Sequence, residues 1–499
     1  MRRRCWLAAS WLVVVAVAAA SVVGCGATGA ASRGADEWAA PNADLANTRS
    51  VHGPIDAASV RRLRVAWTLP IGAYATTPVV VGGVVYTQDL EGDVVAIELA
   101  SGRVRWRHHY GVQTYGPNGV TVGDGRVYGA TTLFAFALDQ GDGRELWRAN
   151  LLANESEGID MAPGFHAGRV FVSTVPTRPE VQYGPGARGV LWALDAATGR
   201  SRWQWDEVPA GLWGDPGVNA GGGLWYTPAF DGRGHLFASV GNPAPLPGTA
   251  ARPWGASRPG PNRWTNTLAA LDERTGRLLW ARQVLPHDLF DWDLACPPIL
   301  RRVGGRHLVI AAGKMGWVYA FDADSGALVW KRPVGRHNGH DRDNLKAMRG
   351  ERLPATMHVL PGELGGVITP MAADARTVYV PVNELSATIR RQVMLPDRGP
   401  ARGRLVALDL ASGRVRWDHP LPAGEYGGAA VANDVVFTTT YDGTVWALNA
   451  RSGRVAWRAN LPAGTNAPVA IAGDTVLAAG SVPLLAGQTT QLVAYRLAR

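Results

Sequence analysis

The sequence predicts an all-β fold, an eight-bladed β-propeller of four-stranded antiparallel blades, on three observations. A phrase close to apolar-x-Ala-apolar-Asp-x-x-Ser/Thr-Gly-Arg-x-x-Trp recurs seven times between Ala96 and Trp457. Its columns hold strict internal spacing: Trp at 106, 147, 203, 280, 330, 417 and 457, Gly four residues before each, and Ala six before each Gly. An eighth Trp, Trp67, lacks its upstream half. That half stands at the far end of the chain in Gln491-Leu492-Val493-Ala494-Tyr495-Arg496, where Ala494 fills the Ala column.

Each phrase reads as a hairpin. Gly189 to Leu194 and Ser201 to Trp205 are short, apolar-rich and separated by a tight Asp-x-x-Thr-Gly turn. Asp195 is placed to accept hydrogen bonds from the turn backbone, with Thr198 doing so more weakly. Gly199 can take the left-handed conformation that closes a short loop with a bulge. The Ala leaves room for a neighbouring sheet, and the Trp ring fills the gap. A hairpin of this size cannot bury one face by itself, so copies must pack together. A repeat of about forty residues built from strand pairs favours a radial propeller over a helical solenoid. Joining the Trp67 strand to the C-terminal strand in one last blade removes the open edge of the array.

A closed ring counts as one domain despite the length of 499, so residues 56–499 are read as the propeller. Gly 61, Pro 33 and Trp 20 suit a turn-rich all-β chain. The formal charge of +9 falls to +6 without Arg2, Arg3 and Arg4, and that excess is spread without basic runs, a solvated surface rather than a nucleic-acid footprint. Residues 1–24 read as a lipoprotein signal peptide: Arg2-Arg3-Arg4, an apolar run from Trp6 to Val23, then Val22-Val23-Gly24-Cys25, which resembles the bacterial lipobox. Cys25 would be lipidated, residues 25–55 would form a tether and N-terminal arm, and the ring would lie outside the cytoplasm on a membrane anchor. An uncleaved membrane span is the other reading of the same run. Cys296 then stands without a disulfide partner and reads as a buried small apolar residue. Without Cys-x-x-Cys-His there is no covalent c-type haem.

Function must come from departures from the repeat. The gaps from Trp203 to Trp280 and from Trp330 to Trp417 are 77 and 87 residues, so long inserts sit there. The first contains Gly221-Gly222-Gly223-Leu224-Trp225-Tyr226, Ser239-Val240-Gly241-Asn242-Pro243-Ala244-Pro245 and Arg258-Pro259-Gly260-Pro261-Asn262. Next come Pro286-His287-Asp288-Leu289-Phe290-Asp291-Trp292-Asp293 and Ala312-Gly313-Lys314-Met315-Gly316-Trp317. In this order, beginning with the stretch from Trp38 to Asn47-Thr48-Arg49, they resemble the quinoprotein alcohol dehydrogenases. That resemblance implies an eight-bladed propeller with pyrroloquinoline quinone (PQQ) and Ca²⁺ in a central funnel.

Carried over to this chain, the resemblance makes Trp225 the aromatic floor under the quinone, Lys314 the cation at its carbonyl and Asn242 an amide-oxygen ligand of the metal. A planar quinone needs a flat apolar surface, and a cation beside its carbonyl favours attack at the adjacent carbon. The other readings are blade packing for Trp225, a turn residue before Pro243 for Asn242 and a surface Lys for Lys314. Departures accompany the matches. Pro261 stands where the resemblance sets the catalytic Asp, and Gly184 where it sets a metal-binding Glu, with Glu180 the nearest carboxylate. The adjacent Cys pair is replaced near Thr114-Tyr115-Gly116-Pro117, and the Arg downstream is absent at Asn118-Gly119. No catalytic residue is therefore assigned; Asp288, Asp291 or Asp293 could substitute, or could serve loop hydrogen bonding, as His287 could.

Two functions fit these residues. One is an extracytoplasmic PQQ-dependent enzyme, or near relative with an altered site, that oxidises an alcohol or sugar and passes electrons to a separate carrier. The other is a non-catalytic, monomeric propeller that binds proteins or envelope ligands, similar to the lipoprotein of outer-membrane assembly.

Overall fold

The repeat phrase folds as a bulged hairpin. Strand Val190–Asp195 pairs with Ser201–Asp206, with the register slipping between Ala193 and Leu194. Asp195 Oδ1 accepts from the Thr198 backbone N–H at 2.9 Å and from its hydroxyl at 2.7 Å, while the Gly199 N–H reaches the Asp195 carbonyl at 2.8 Å. Gly199 has φ +70°, the left-handed region its lack of a Cβ allows. The computed structural model describes residues 37–498 apart from Tyr115, Arg398 and Pro400; the expected leader, Cys25 and the tether up to residue 36 lie outside the described residues.

Packing between hairpins explains the Trp and Gly columns together. Trp147 lays its ring on Gly199 of the next repeat, where an added Cβ would come within 2.6 Å of the ring, and its indole N–H donates to the Ala196 carbonyl at 3.0 Å. The same pairing joins Trp67 to Gly102 and Leu99 O, Trp280 to Gly326 and Ala323 O, and Trp417 to Gly453 and Ala450 O. One residue thus supplies both apolar area and a directional bond. The Ala column is fully buried, with Ala96, Ala137, Ala193, Ala320, Ala407, Ala447 and Ala494 at 0 % exposure.

These hairpins extend into an all-β propeller. Among the described residues there are seven four-stranded sheets and one five-stranded sheet, and within each the repeat strands pair antiparallel. The first is Val79–Val81, Val84–Gln88, Val94–Glu98 and Val104–His108. Ala470–Ala472, Thr475–Gly480 and Gln491–Leu497 are completed by Leu63–Pro70 from the other end of the chain, as the split eighth phrase predicts. The fifth strand departs from the expected four: Ser50–Val51 of the N-terminal arm runs parallel to Ala429–Ala432, because the arm lies against the innermost strand there. Among the described residues helix is confined to Asp343–Met348 and two short 3₁₀ turns, and none of these is long and apolar enough to cross a membrane.

The arm laces the innermost strands to one another. Trp38 exchanges backbone bonds with Val80, Leu45 O accepts from Phe230, Ala46 O from Leu300, Thr48 O from Ala373 and Arg49 O from Val431. Asn47 donates to the Thr227 and Pro298 carbonyls at 2.9 and 3.1 Å. The fully buried Arg49 guanidinium donates to Ala429 O, Pro41 O, Thr77 Oγ1 and Val469 O at 2.6 to 3.1 Å. Burial draws its pKa down to about 9, although nearby Tyr226 and Glu425 oppose the shift.

Candidate functional site

The first insert begins where Ser201–Asp206 ends. Glu207, wholly buried, accepts from Ser173 Oγ at 2.7 Å and from the Gly223 N–H. It thereby fixes the turn Gly221-Gly222-Gly223, whose three residues all have positive φ. Burial, opposed by these two hydrogen bonds, pushes the Glu207 pKa up to about 8. The turn delivers Trp225. A second segment runs antiparallel to it: Gly241 N donates to Gly223 O at 2.9 Å and Gly222 N to Asn242 O at 3.0 Å. A Cβ on Gly241 would lie 3.1 Å from Asp293 Oδ1 and 3.2 Å from Trp225 Nε1, so only Gly allows this approach without displacing a neighbour. Trp225 is partly buried, with a buried indole N–H that finds no protein partner.

The loop after the fourth sheet brings the carboxylates. Asp288 accepts from Phe290 N at 2.8 Å, Trp292 N at 2.7 Å and Asn266 Nδ2 at 3.2 Å, so it orders the loop. His287 is buried with Nδ1 against Gly260 O at 2.9 Å, and burial and Arg258 lower its pKa to about 4. Both make loop hydrogen bonds here. Asp291 is different: it sits at φ +57° in the left-handed region, and its Oδ2 meets Lys314 Nζ at 2.7 Å. Asp293 Oδ2 meets the same ammonium at 2.8 Å, while its Oδ1 accepts from Asn242 N at 2.6 Å. A non-glycine residue held there, at about 1–3 kcal/mol, is the kind of local strain that gathers at working sites.

Lys314 follows strand Arg306–Gly313, and its own N–H donates to Asp293 O at 2.9 Å. A Cβ on Gly313 would strike that carbonyl, which is why Gly precedes the Lys. The two carboxylates hold the Lys314 pKa above its ordinary value against burial, which lowers it. Burial pushes Asp291 up to about 7, Lys314 pulls it back and Asp293 pushes it further up. Tyr183 closes the cluster. Its hydroxyl lies 3.2 Å from Asn242 Oδ1 and 3.0 Å from Asp291 Oδ1, and burial keeps it protonated.

The three expected residues therefore come together: Trp225 and Asn242 flank Gly241, and Lys314 reaches them through Asp291 and Asp293. Pro261 does not join them. It is exposed, while Arg258 and Asn262 of its stretch buttress the loop through Arg258 Nη1 to Asn262 Oδ1 at 2.6 Å and Arg258 Nη2 to the Asp288 carbonyl. Glu180 is exposed in an ion pair with Arg178 and is no part of the site. Cys296 is buried, with Sγ 3.3 Å from the Val367 and Thr369 carbonyls, and burial raises its thiol pKa. Sequence reasoning missed the Asp291–Lys314 pair and Tyr183; the three Asp residues in one short motif were the available signal for the first.

Trp225, with its unpartnered indole N–H, and the Lys314 cation are the residue types that a quinone ring and carbonyl call for. The carboxylates of PQQ find less. The buried cations among the described residues, Arg49, Arg258 and Lys314, are all already engaged. Ca²⁺ does not fit. It takes six to eight oxygens, whereas Asn242, Asp291 and Asp293 are held by Tyr183 and Lys314. No described cluster of three or more His, Cys, Asp or Glu residues could hold a metal ion.

Comparison with known proteins places this geometry. A family model described as glucose/ethanol/alcohol dehydrogenase, beta-propeller domain matches residues 38–131 and 153–338. A second, described as outer membrane protein assembly factor BamB, matches 264–425 and 314–498. Quinohemoprotein alcohol dehydrogenase of Comamonas testosteroni is 26 % identical, over 82 % of this chain and 66 % of its own length. Polyvinylalcohol dehydrogenase of a Pseudomonas species is 27 % identical, over 78 % and 60 %. The chain thus spans less than two thirds of either relative. A europium-containing methanol dehydrogenase superposes with a TM-score of 0.77 at 20 % identity, over 93 % of this chain and 99 % of that one. The matched family model covers more than half of the sequence, including Trp225, Asn242 and Lys314, and the chain belongs to the PQQ-dependent glucose, ethanol and alcohol dehydrogenase β-propeller family.

Proposed function

We propose that this chain is an extracytoplasmic lipoprotein, anchored through Cys25, whose eight-bladed ring holds a PQQ-type quinone in an altered site and oxidises an alcohol or sugar. Closure of the ring is supported by three contacts across the seam. Trp67 docks on Gly102, Ala470–Ala472 neighbours Val79–Val81, and Arg49 bonds to Thr77, Ala429 and Val469 at once.

The observation that carries the enzymatic reading is the partly buried Asp291, at positive φ, against Lys314. PQQ, when bound, supplies the two-electron oxidant. Asp291 accepts the proton of the substrate hydroxyl, and a carboxylate poised near neutral pH suits that task. Lys314 holds Asp291 in place and would supply positive charge to the quinone, Trp225 would hold its ring, and Asn242 and Asp293 lock the loop around Gly241. Electrons leave to a separate carrier.

A second reading, a non-catalytic propeller that binds envelope proteins, is favoured by the match of the C-terminal half to the assembly-factor model. A scaffold has no use for a strained carboxylate buried against a Lys. Adding PQQ to the purified protein, following Trp fluorescence, and then testing dye reduction with alcohols and sugars separates the two. Quenching with turnover that Asp291→Asn lowers by about 10²–10⁴ supports the enzyme. Absence of both quenching and turnover removes it in favour of the scaffold.

A further inference from the structure

A divalent metal at the hub would need Asn242 Oδ1 and the two carboxylates free to turn their oxygens to a common point. Here other groups occupy those oxygens. The Tyr183 hydroxyl stands between Asn242 Oδ1, at 3.2 Å, and Asp291 Oδ1, at 3.0 Å. Lys314 Nζ bridges the remaining oxygens, Asp291 Oδ2 at 2.7 Å and Asp293 Oδ2 at 2.8 Å. All three side chains are nearly enclosed: Lys314 is 10 % exposed, Asp291 14 % and Asp293 0 %.

The backbone leaves little freedom to rearrange. Tyr183 has φ +53°, and its neighbour Gly184 packs so tightly that a Cβ there would lie 2.2 Å from Ser156. No larger side chain, a Glu included, fits at residue 184 without moving the loop. A single ammonium balances one of the two carboxylate charges, and a divalent ion would have to displace it from a buried position. Displacing it would strand the buried Lys314 ammonium without its carboxylate partners, which is costly.

We propose that the Tyr183 hydroxyl and the Lys314 ammonium together replace the divalent metal, so that this site holds its ligand and works without one. The inference deepens the reading of the hub as a quinone site and rests on it for the ligand, but not for the metal. The Tyr183 hydroxyl, with its single proton, donates to one of the Asn242 and Asp291 oxygens and fills the space between them. Lys314 supplies the positive charge.

The test uses the full protein after chelation. Titration with CaCl₂ by calorimetry, and with EuCl₃ by europium luminescence, is expected to show no one-to-one binding tighter than about 1 mM, the weak end of protein Ca²⁺ sites. Tighter one-to-one binding that Asp291→Asn weakens overturns the proposal; binding that this variant leaves unchanged lies elsewhere and does not. PQQ quenching of Trp fluorescence is expected to be the same within about twofold with EDTA or with CaCl₂, whereas a dependence above about tenfold, roughly 1.4 kcal/mol, also overturns it. If PQQ quenches in neither buffer, the quinone reading fails while the metal titrations still decide this one. Tyr183→Glu, which returns a carboxylate to the cluster, is expected to tighten europium binding at least about tenfold, again about 1.4 kcal/mol. A folded Tyr183→Glu protein with unchanged affinity would remove the claim that the hydroxyl keeps the metal's place.

Discussion

Glu207→Gln isolates one buried carboxylate whose protonation the fold controls. Glu207 receives hydrogen bonds from Ser173 Oγ and Gly223 N, with Asp206 adding repulsion, and its pKa rises from 4.5 to about 8, chiefly through burial. The folded state therefore binds the proton more tightly than the unfolded state. The stability this lends is complete below the unfolded pKa and is lost as pH rises from about 4.5 to about 8. At 1.36 kcal/mol per unit, raising the pH from about 5 to about 7.5 costs the fold on the order of 3 kcal/mol at this residue. Gln mimics the protonated acid: its carbonyl accepts from Gly223 N and its amide donates to Ser173 Oγ. In urea unfolding followed by Trp fluorescence, the variant should match the wild type near pH 5 and exceed it by about 3 kcal/mol near pH 7.5. An equal offset at the two pH values would refute the reasoning, since it would mean that Glu207 does not titrate between them. Glu425 and Asp160, raised to about 8 and about 7 by burial, push the wild-type curve the same way.

Trp147→Ala should cost about 3–5 kcal/mol and Trp147→Phe about 1 kcal/mol in the same denaturation assay, the difference being ring area against one indole hydrogen bond. Gly199→Ala meets both a φ of +70° and the Trp147 ring, so a loss above about 1 kcal/mol is expected, and a neutral result would separate the Gly column from Trp docking. Arg49→Met strands the Ala429, Pro41 and Val469 carbonyls; a fall of about 3 kcal/mol or more in stability, read by thermal melting, is the expected outcome.

The blades were legible because their constraints are local and repeated. Asp195, Thr198 and Gly199 build one turn within five residues, and Trp147 meets the next repeat at a fixed offset, so spacing alone exposes the pattern. The site was legible only as far as its motifs carry fixed neighbours. Trp225, Asn242 and Lys314 stood in recognisable stretches, and the structure joins them. Pro261 drew attention to the wrong stretch because the carboxylate at Lys314 arrives from Asp291, on a loop that lies beyond another strand pair. Tyr183 had no periodic context, and its role depends on positive φ and on contacts with residues 59 and 108 positions away. The arm from Trp38 to Arg49 was noticed as part of the resemblance, but its bonds reach innermost strands spread along the whole chain, which no local pattern encodes.

That lacing has a kinetic corollary. During synthesis Arg49 finds Ala429 and Val469 only after 380 and 420 further residues have been added, so the nascent chain must keep the arm waiting over that span. Contacts of such sequence separation slow folding, into the millisecond to second range even for small β domains. Until they form, two apolar sheet edges stay open together, and that interval is when the polypeptide is most exposed to self-association.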